Sequence, residues 1–418
     1  MSWFRSHTAR ANDILTYNDR GTYSVPTHGL YPVQFNWDSC FAALGYRHRN
    51  PERALSEIIL LLSAQWSDGM VPHIVFRGDY DGYFPGPDVW STGQKIPTSG
   101  ITQPPVAASV LWRLWDDSAK VDRARMRQAA KRLERWHRWF ANSRQDDQGA
   151  IFIVHPWESG RDNLTDWDVG MNRVQPDTGL GEYIRRDLEH VNAVQRPTKE
   201  EYDRYLTIVH HGRKIGWDQK EMGRSSPFRM VCAGMTAILL AAERDLLLIM
   251  SELEMPTANT KRRISRLEDG WRSLWNPKVK SYVNRDLETS WTSNAVTASA
   301  FLGAYAGMTD NLGSMMDHFD RISGKVRFML PSFDPDCEGF DPERYWRGPV
   351  WFIINNMVGK GFEKIGESSR AARIKIDTAK LAESSGFYEY FNPITGRGLG
   401  GKSFTWTASV YLDWAGRN

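Results

Sequence analysis

Residues 227–254 read PFRMVCAGMTAILLAAERDLLLIMSELE, and this stretch decides the fold. It follows a Ser225-Ser226-Pro227 helix-start signal and is apolar on most of its circumference, so it predicts a helix buried between neighbours. Residues 121–143 give the complementary pattern. They are rich in Arg and Lys, with Leu133, Trp136, Trp139 and Phe140 on one stripe, as expected of an outer helix with a single buried face. The same periodicity predicts helices near 37–49, 51–66, 103–118, 198–215, 258–275, 293–307, 309–323, 347–364, 367–385 and 404–415. Strand-like runs are short, at 71–76, 151–154 and 281–284. The expectation is an all-α fold.

Composition narrows the function classes. The chain has 418 residues, with 41% hydrophobic and 25% charged side chains, which excludes wholesale disorder. Lys and Arg number 53 against 50 Asp and Glu, a net charge of +3. That is too small for a nucleic-acid or membrane-surface footprint, and neither partner is expected. Cys40, Cys232 and Cys337 lie far apart and form no CxxC pair, which favours a reducing compartment over a disulfide framework. The N-terminus lacks the basic and apolar regions of a signal peptide. The apolar runs 58–64 and 237–250 fall short of the ~18–20 residues of a spanning helix. A cytoplasmic location is expected, and a homo-oligomer is left open.

Two long segments, 67–102 and 144–197, interrupt the helical pattern. They are rich in Gly, Pro and aromatics rather than in disorder-forming residues, so they are expected to carry function. No metal site is predicted. There is no HExxH, and the acidic loop Asp334-Pro-Asp336-Cys-Glu338 has Tyr345 where a calcium loop needs a bidentate Glu. No cofactor is expected, since Gly396-Arg-Gly-Leu-Gly-Gly401 is not a nucleotide fingerprint and follows no parallel strand.

The chemistry concentrates in polar-aromatic motifs. These are Tyr31-Pro-Val-Gln-Phe35-Asn-Trp37-Asp38, Gly69-Met-Val-Pro-His73, Thr98-Ser-Gly-Ile-Thr-Gln103, His155-Pro-Trp157-Glu158-Ser-Gly160-Arg-Asp162, Gln195-Arg196, Tyr345-Trp346-Arg347-Gly-Pro-Val-Trp351 and Tyr388-Glu389-Tyr-Phe-Asn-Pro. The chain's 18 Trp, 18 Phe and 15 Tyr fit the same picture. A sugar's C–H face packs on an aromatic plane while its hydroxyls bond Asp, Gln or Arg. Cleaving a glycosidic bond needs two carboxyl groups flanking the anomeric carbon, one protonated and one ionised. Asp162 and Glu389 offer such a pair from distant aromatic loops. Asp166, Asp168 and Glu158 compete with Asp162 for the acid role, and Asp38 is another credible carboxylate.

With those motifs in place, the sequence resembles glycoside hydrolase family 63 and its neighbours, the trehalases and glucoamylase-like six-hairpin barrels. Trp157-Glu-Ser-Gly160-Arg-Asp162, Tyr345-Trp-Arg-Gly-Pro-Val-Trp351 and Tyr388-Glu389-Tyr-Phe-Asn-Pro carry the resemblance, in the family order, along essentially the whole chain. Its compact length looks most like the mannosylglycerate and glucosylglycerate hydrolases of that family. The resemblance implies one (α/α)6 barrel over residues 1–418, with 67–102 and 144–197 as capping insertions. It implies an inverting mechanism on an α-glycoside, Asp162 as general acid and Glu389 as general base, with carboxyl groups ~6.5–9.5 Å apart. Tyr31, Phe35, Trp37, Asp38, Trp157, Gly160, Tyr345, Trp346 and Trp351 would bind the sugar. Gln103 and Arg196 would lie near the aglycone, Arg196 pairing its carboxylate, and Tyr80 or Tyr83 would close over that end. The chain departs from the expected pattern at Phe35, where the resemblance implies Trp, and along Asp162-Asn-Leu-Thr-Asp-Trp167.

Plainer readings stand beside these. Asp38 could be a first-turn helix acid, Gln103 a helix-start residue and Arg196 a surface ion-pair partner. Trp346 and Trp351 could be core packing, and Glu158 is expected mainly to orient its loop. Rival functions are a trehalase-like or α-glucosidase activity on neutral glucosides, a non-catalytic sugar-binding protein, and an epimerase or lyase using His73 or His155 as base.

Overall fold

The computed structural model describes residues 6–80, 82–116, 121–185 and 187–417. Its elements are mostly helical, and the strands are two to five residues long. Ala233–Glu252 is the helix anticipated at 227–254, buried along most of its length. It starts later than the Pro signal suggested. Met230–Val231 pairs antiparallel with Phe152–Ile153 and with Arg285–Asp286, so long-range pairing takes those residues before the helix begins at the Cys232 cap.

Helix packing runs in sequence order. Asn36–Tyr46 packs on Ala107–Asp116, that helix on Ala233–Glu252, and that in turn on Leu302–Ala306. Leu302–Ala306 packs on Phe352–Lys364, which packs on Thr405–Val410, and Thr405–Val410 returns to Asn36–Tyr46. A second set lies against these: Pro51–Leu62, Arg123–Ser143, Ala258–Ser273, Ser368–Ser385 and His7–Tyr17. Leu312–Ser323 joins it through Phe319, which meets Phe301 and Phe362 edge to face. The sequence explains the division. Asn36–Tyr46 is buried from Asn36 to Gly45, whereas Ala258–Ser273 buries only Thr260, Leu267, Gly270 and Trp271 and exposes Lys261, Arg262, Arg266 and Arg272, while Arg263 turns in to pair with the buried Glu243. Arg123–Ser143 buries the predicted stripe, and Asp122 caps it by accepting from the Ala124 and Arg125 amides.

Several boundaries differ from expectation for physical reasons. The helix predicted from 347 starts at Phe352, because Val350 bridges both Pro331 and Phe391 in an extended conformation. The run predicted at 293–307 contains only a 3-10 turn, Ala298–Phe301, and the short helix Leu302–Ala306, since Thr297 is taken into a bridge with Phe333. The hairpin Tyr388–Phe391 with Gly398–Lys402 was not predicted. Among the described residues, no helix is long and apolar enough to cross a membrane, and Cys40, Cys232 and Cys337 are free thiols.

Candidate active site

A cavity of about 870 Å³ opens where the loops before and after the buried helices converge. That volume includes the space open to solvent at its mouth, and the lining combines aromatic rings with carboxyl, amide and guanidinium groups, as in a site for a small polar ligand. Asp162 and Glu389 both line it.

Glu389 sits in the hairpin at a bulge, where register shifts between Tyr388 and Tyr390. Its side chain is fully buried and accepts four hydrogen bonds. Oε1 accepts from Tyr345 Oη at 3.0 Å and Tyr31 Oη at 3.3 Å. Oε2 accepts from the Gly401 amide at 3.0 Å and Arg196 Nη2 at 3.2 Å. The Trp406 indole also donates to its carbonyl at 3.0 Å. Burial pushes the Tyr31 and Tyr345 phenols well up, so both are neutral donors.

Asp162 follows the 3-10 turn Pro156–Ser159, which ends at Gly160 with φ 64°. A Cβ on Gly160 would lie 2.6 Å from the Trp37 ring, so glycine lets the acid loop close down on that indole. Tyr205 Oη holds the Asp162 carbonyl at 2.9 Å. Burial, opposed by the Arg196 charge and aided by that of Glu389, pushes the Asp162 carboxyl up to about 7. This places the group where it can carry a proton at neutral pH and release it.

The competing carboxylates serve the frame. Glu158, fully buried, takes a fork from Arg144 and the Val154 amide at 2.9 Å. Asp166 accepts from Asn284 Nδ2 at 2.6 Å and Ser293 Oγ at 2.8 Å. Asp168 pairs with Arg347 at 2.7 and 2.9 Å, and Arg347 also grips the Asn163 carbonyl at 3.1 Å. Of this acidic set only Asp162 lines the large cavity.

Tyr31, Phe35, Trp37, Asp38, Tyr83, Gln103, Trp157, Gly160, Arg196 and Tyr345 line it as the sequence anticipated. Asp38 is both a first-turn acid of its helix and a cavity residue, pushed well up by burial and by Glu389 and Asp162. Gln103 does not start its own helix, which begins at Ala107; its Oε1 accepts instead from the Trp37 amide at 3.2 Å, at the start of Asn36–Tyr46. Arg196, 4% exposed, is no surface residue. Its Nη2 pairs with Glu389, its Nη1 donates to Tyr31 Oη at 2.9 Å, and the guanidinium lies 4.3 Å from the Tyr345 ring centre.

Three anticipated residues are placed elsewhere. Trp346 and Trp351 stack in parallel on each other at 3.7 Å, each 1% exposed, and Trp351 stacks on Tyr390, so they pack beneath the site. Tyr80 packs edge-on against Phe76 while Tyr83 takes the position in the cavity. Sequence reading missed Arg185, Asp187, Tyr202, Tyr205, Phe404 and Trp406 as lining residues. Tyr202 and Tyr205 stand in Glu201-Tyr202-Asp203-Arg204-Tyr205, a polar-aromatic run that helical periodicity assigns to an ordinary amphipathic helix, and Phe404 and Trp406 begin another helix. His73 also lines the cavity, and burial pushes its imidazole well down, as it does His155 to about 3, so both rings are neutral. Among the described residues no group of three or more His, Cys, Asp or Glu is placed to hold a metal.

The chain is similar along nearly its whole length to known proteins. Residues 31–407 match the profile of the mannosylglycerate hydrolase MGH1-like glycoside hydrolase domain. The chain is 42% identical to a mannosylglycerate hydrolase of Thermus thermophilus over 97% of its own length and 99% of that protein. It is 33% identical to a glucosylglycerate hydrolase of Mycolicibacterium hassiacum, over 98% and 97% of the two chains. The crystal structure of a family 63 mannosylglycerate hydrolase from Thermus thermophilus, in complex with Tris and D-glycerate, superposes with a TM-score of 0.94 at 42% identity. That match covers 98% of this chain and 100% of the other. The chain therefore belongs to the MGH1-like family of glycoside hydrolases, and it is a glycoside hydrolase.

Proposed function

We propose that the protein hydrolyses the α-glycosidic bond of mannosylglycerate or glucosylglycerate with inversion, Asp162 acting as general acid and Glu389 as general base. The observation that carries this reading is the convergence of these two carboxyl groups, far apart in the chain, on one aromatic cavity where Asp162 feels the charge of Glu389. Asp162 gives its proton to the departing glycerate oxygen while Glu389 takes one from the attacking water. Tyr31 assists the second of these proton transfers. Its single hydroxyl proton has two acceptors, Glu389 Oε1 at 3.3 Å and Tyr345 Oη at 3.4 Å, and turning to Tyr345 frees a lone pair on Oε1 for the water. Trp37, Asp38 and Trp157 would hold the sugar, and Gln103, Tyr83 and Arg196 the glycerate.

The architecture is inferred to match. The closed succession of packed helices, with a second set against it, supports an (α/α)6 toroid acting as one catalytic domain over 1–418. Segments 67–102 and 144–197 would form its cap, contributing His73, Tyr83, Trp157, Asp162 and Arg196 to the cavity. A cytoplasmic enzyme without cofactor is the corresponding cellular reading.

Asp162→Asn and Glu389→Gln should each lower turnover about 10²–10⁴-fold on these glycosides, with proton NMR showing the β-anomer released first by the wild type. Near-full activity in either variant, or release of the α-anomer, would refute the assignment. A trehalase-like reading on neutral α-glucosides draws on one observation: both guanidiniums lining the cavity are paired with carboxylates, Arg196 with Glu389 and Arg185 with Asp187. Arg196→Ala should then affect glycerate and neutral glycosides alike, whereas the glycerate reading predicts a selective loss on the anionic substrate.

A further inference from the structure

One guanidinium serves both reacting carboxyl groups. Arg196 Nη2 is 3.2 Å from Glu389 Oε2, and the same charge opposes the upward push of burial on Asp162. It cannot readily move away: it is 4% exposed, donates to Tyr31 and lies over the face of Tyr345. The next backbone turn is locked by the Thr198–Glu201 capping box, and the neighbouring Gln195 carbonyl accepts from the Tyr345 amide at 2.9 Å. Its Nε has no partner, so the guanidinium retains donor capacity beyond its present bonds. Glu389 in turn keeps Tyr345 and Gly401 as donors if Arg196 is shared with another anion.

We infer that the charge of the aglycone tunes the catalytic pair through Arg196: a carboxylate on the leaving group, bound to this guanidinium, offsets its charge, strengthening Glu389 as a base and helping Asp162 keep its proton. The inference rests on the proposed reading of the substrate and adds to it a reason for the enzyme to turn over anionic glycosides faster, and not merely bind them better.

The other groups facing this cluster do not supply the same effect. Tyr31, Tyr83, Tyr345 and Tyr390 are phenols that burial keeps neutral, and Asp38 is likewise driven toward its protonated form. Arg185, at the outer end, is held in a fork by Asp187 at 2.7 and 3.1 Å and donates to the Pro197 carbonyl. An opposite charge within about 4–6 Å moves a carboxyl by about 1–3 pH units, so partial neutralisation of Arg196 should move the Asp162 titration up by about one unit.

The test compares the wild-type enzyme on a glycosylglycerate and on the matching neutral glycosylglycerol. For the neutral substrate the bell of kcat against pH should have its alkaline limb, set by Asp162, about one unit lower, with kcat at about pH 7.5 reduced about threefold. Bells that superimpose, with the difference confined to KM, would overturn the inference. A second measurement needs no turnover. Calorimetric titration of D-glycerate at about pH 7.5, in two buffers of different ionisation heat, should show proton uptake by the wild type, and glycerol at the same site should show none. Glycerate binding without proton uptake would also overturn it. Hydrolysis of neither glycoside would instead defeat the proposed function, and the two failures are therefore distinguishable.

Discussion

Gly400 lies against the carboxylate of Glu389 so closely that a Cβ at that position would sit 2.4 Å from Oε2. Its φ of +71° is also one that side chains with a Cβ adopt at a cost. Glu389 has no freedom to retreat, because four donors fix its oxygens. Gly400→Ala should therefore displace the carboxylate and lower kcat about 10²-fold or more, with a change in substrate KM that is small by comparison. Steady-state kinetics beside a circular-dichroism check of folding measures this.

The acid loop depends on a buried ion pair. Glu158 receives the Arg144 fork, the Val154 amide and, at 3.5 Å, the Thr102 amide, so one carboxylate joins the loop bearing Asp162 to the loop bearing Gln103. Glu158→Ala leaves the buried Arg144 guanidinium bonded to Gln219 and the Ser143 carbonyl but without its counter-charge, and should cost about 3–5 kcal/mol. Replacing both, Arg144→Met with Glu158→Leu, should recover much of that stability without recovering turnover, because the amides of Val154 and Thr102 remain unpaired. Urea denaturation and kcat measured on the wild type and these two variants separate the two effects.

How much of this was legible in sequence depended on whether a residue's role is local. The buried helix Ala233–Glu252 and the one-sided Arg123–Ser143 were legible because helical periodicity is a local property. The hairpin holding Glu389 was not, because four residues of strand, YEYF, gain their structure from pairing with a glycine-rich partner and from the Val350 bridge. At the site, Asp162, Glu389, Trp37 and Gln103 stood out through motifs, while Arg185 and Tyr202 reach the cavity from an irregular segment and from the face of a surface helix. Trp346 and Trp351 show the reverse failure: a motif places them beside a site residue, but φ +62° at Trp346 and its stacking on Trp351 hold them beneath it.

Tyr31 gives a prediction at single-atom level. Tyr31→Phe keeps the ring contacts with Phe35 at 5.5 Å and Phe404 at 6.1 Å but removes the hydroxyl shared by Arg196, Glu389 and Tyr345. Losing a hydrogen bond to a charged group should lower kcat about 10–100-fold. If the hydroxyl steers the water, Tyr345→Phe, which removes the shorter bond to Oε1 at 3.0 Å, should be at least as damaging. Paired kinetics on the two variants decides, and a wild-type kcat in Tyr31→Phe would exclude a role for its hydroxyl.

Asp162 should also leave a mark on stability. Its folded carboxyl titrates near 7, above the ordinary value of about 3.9, so the native state holds a proton that the unfolded chain has released between those two pH values. The wild type should accordingly lose stability at this site as pH rises from about 4 to about 7, with no further loss above. Asp162→Asn removes the titration. The variant and the wild type should differ least near pH ~4, and the variant should gain steadily on the wild type up to about pH 7–8, where it is the more stable protein. Melting temperatures of the two proteins across about pH 4–9 test this. A constant offset would mean that the carboxyl titrates alike in the folded and unfolded chains, and the burial that equips it to hold a proton for the leaving group would then be absent.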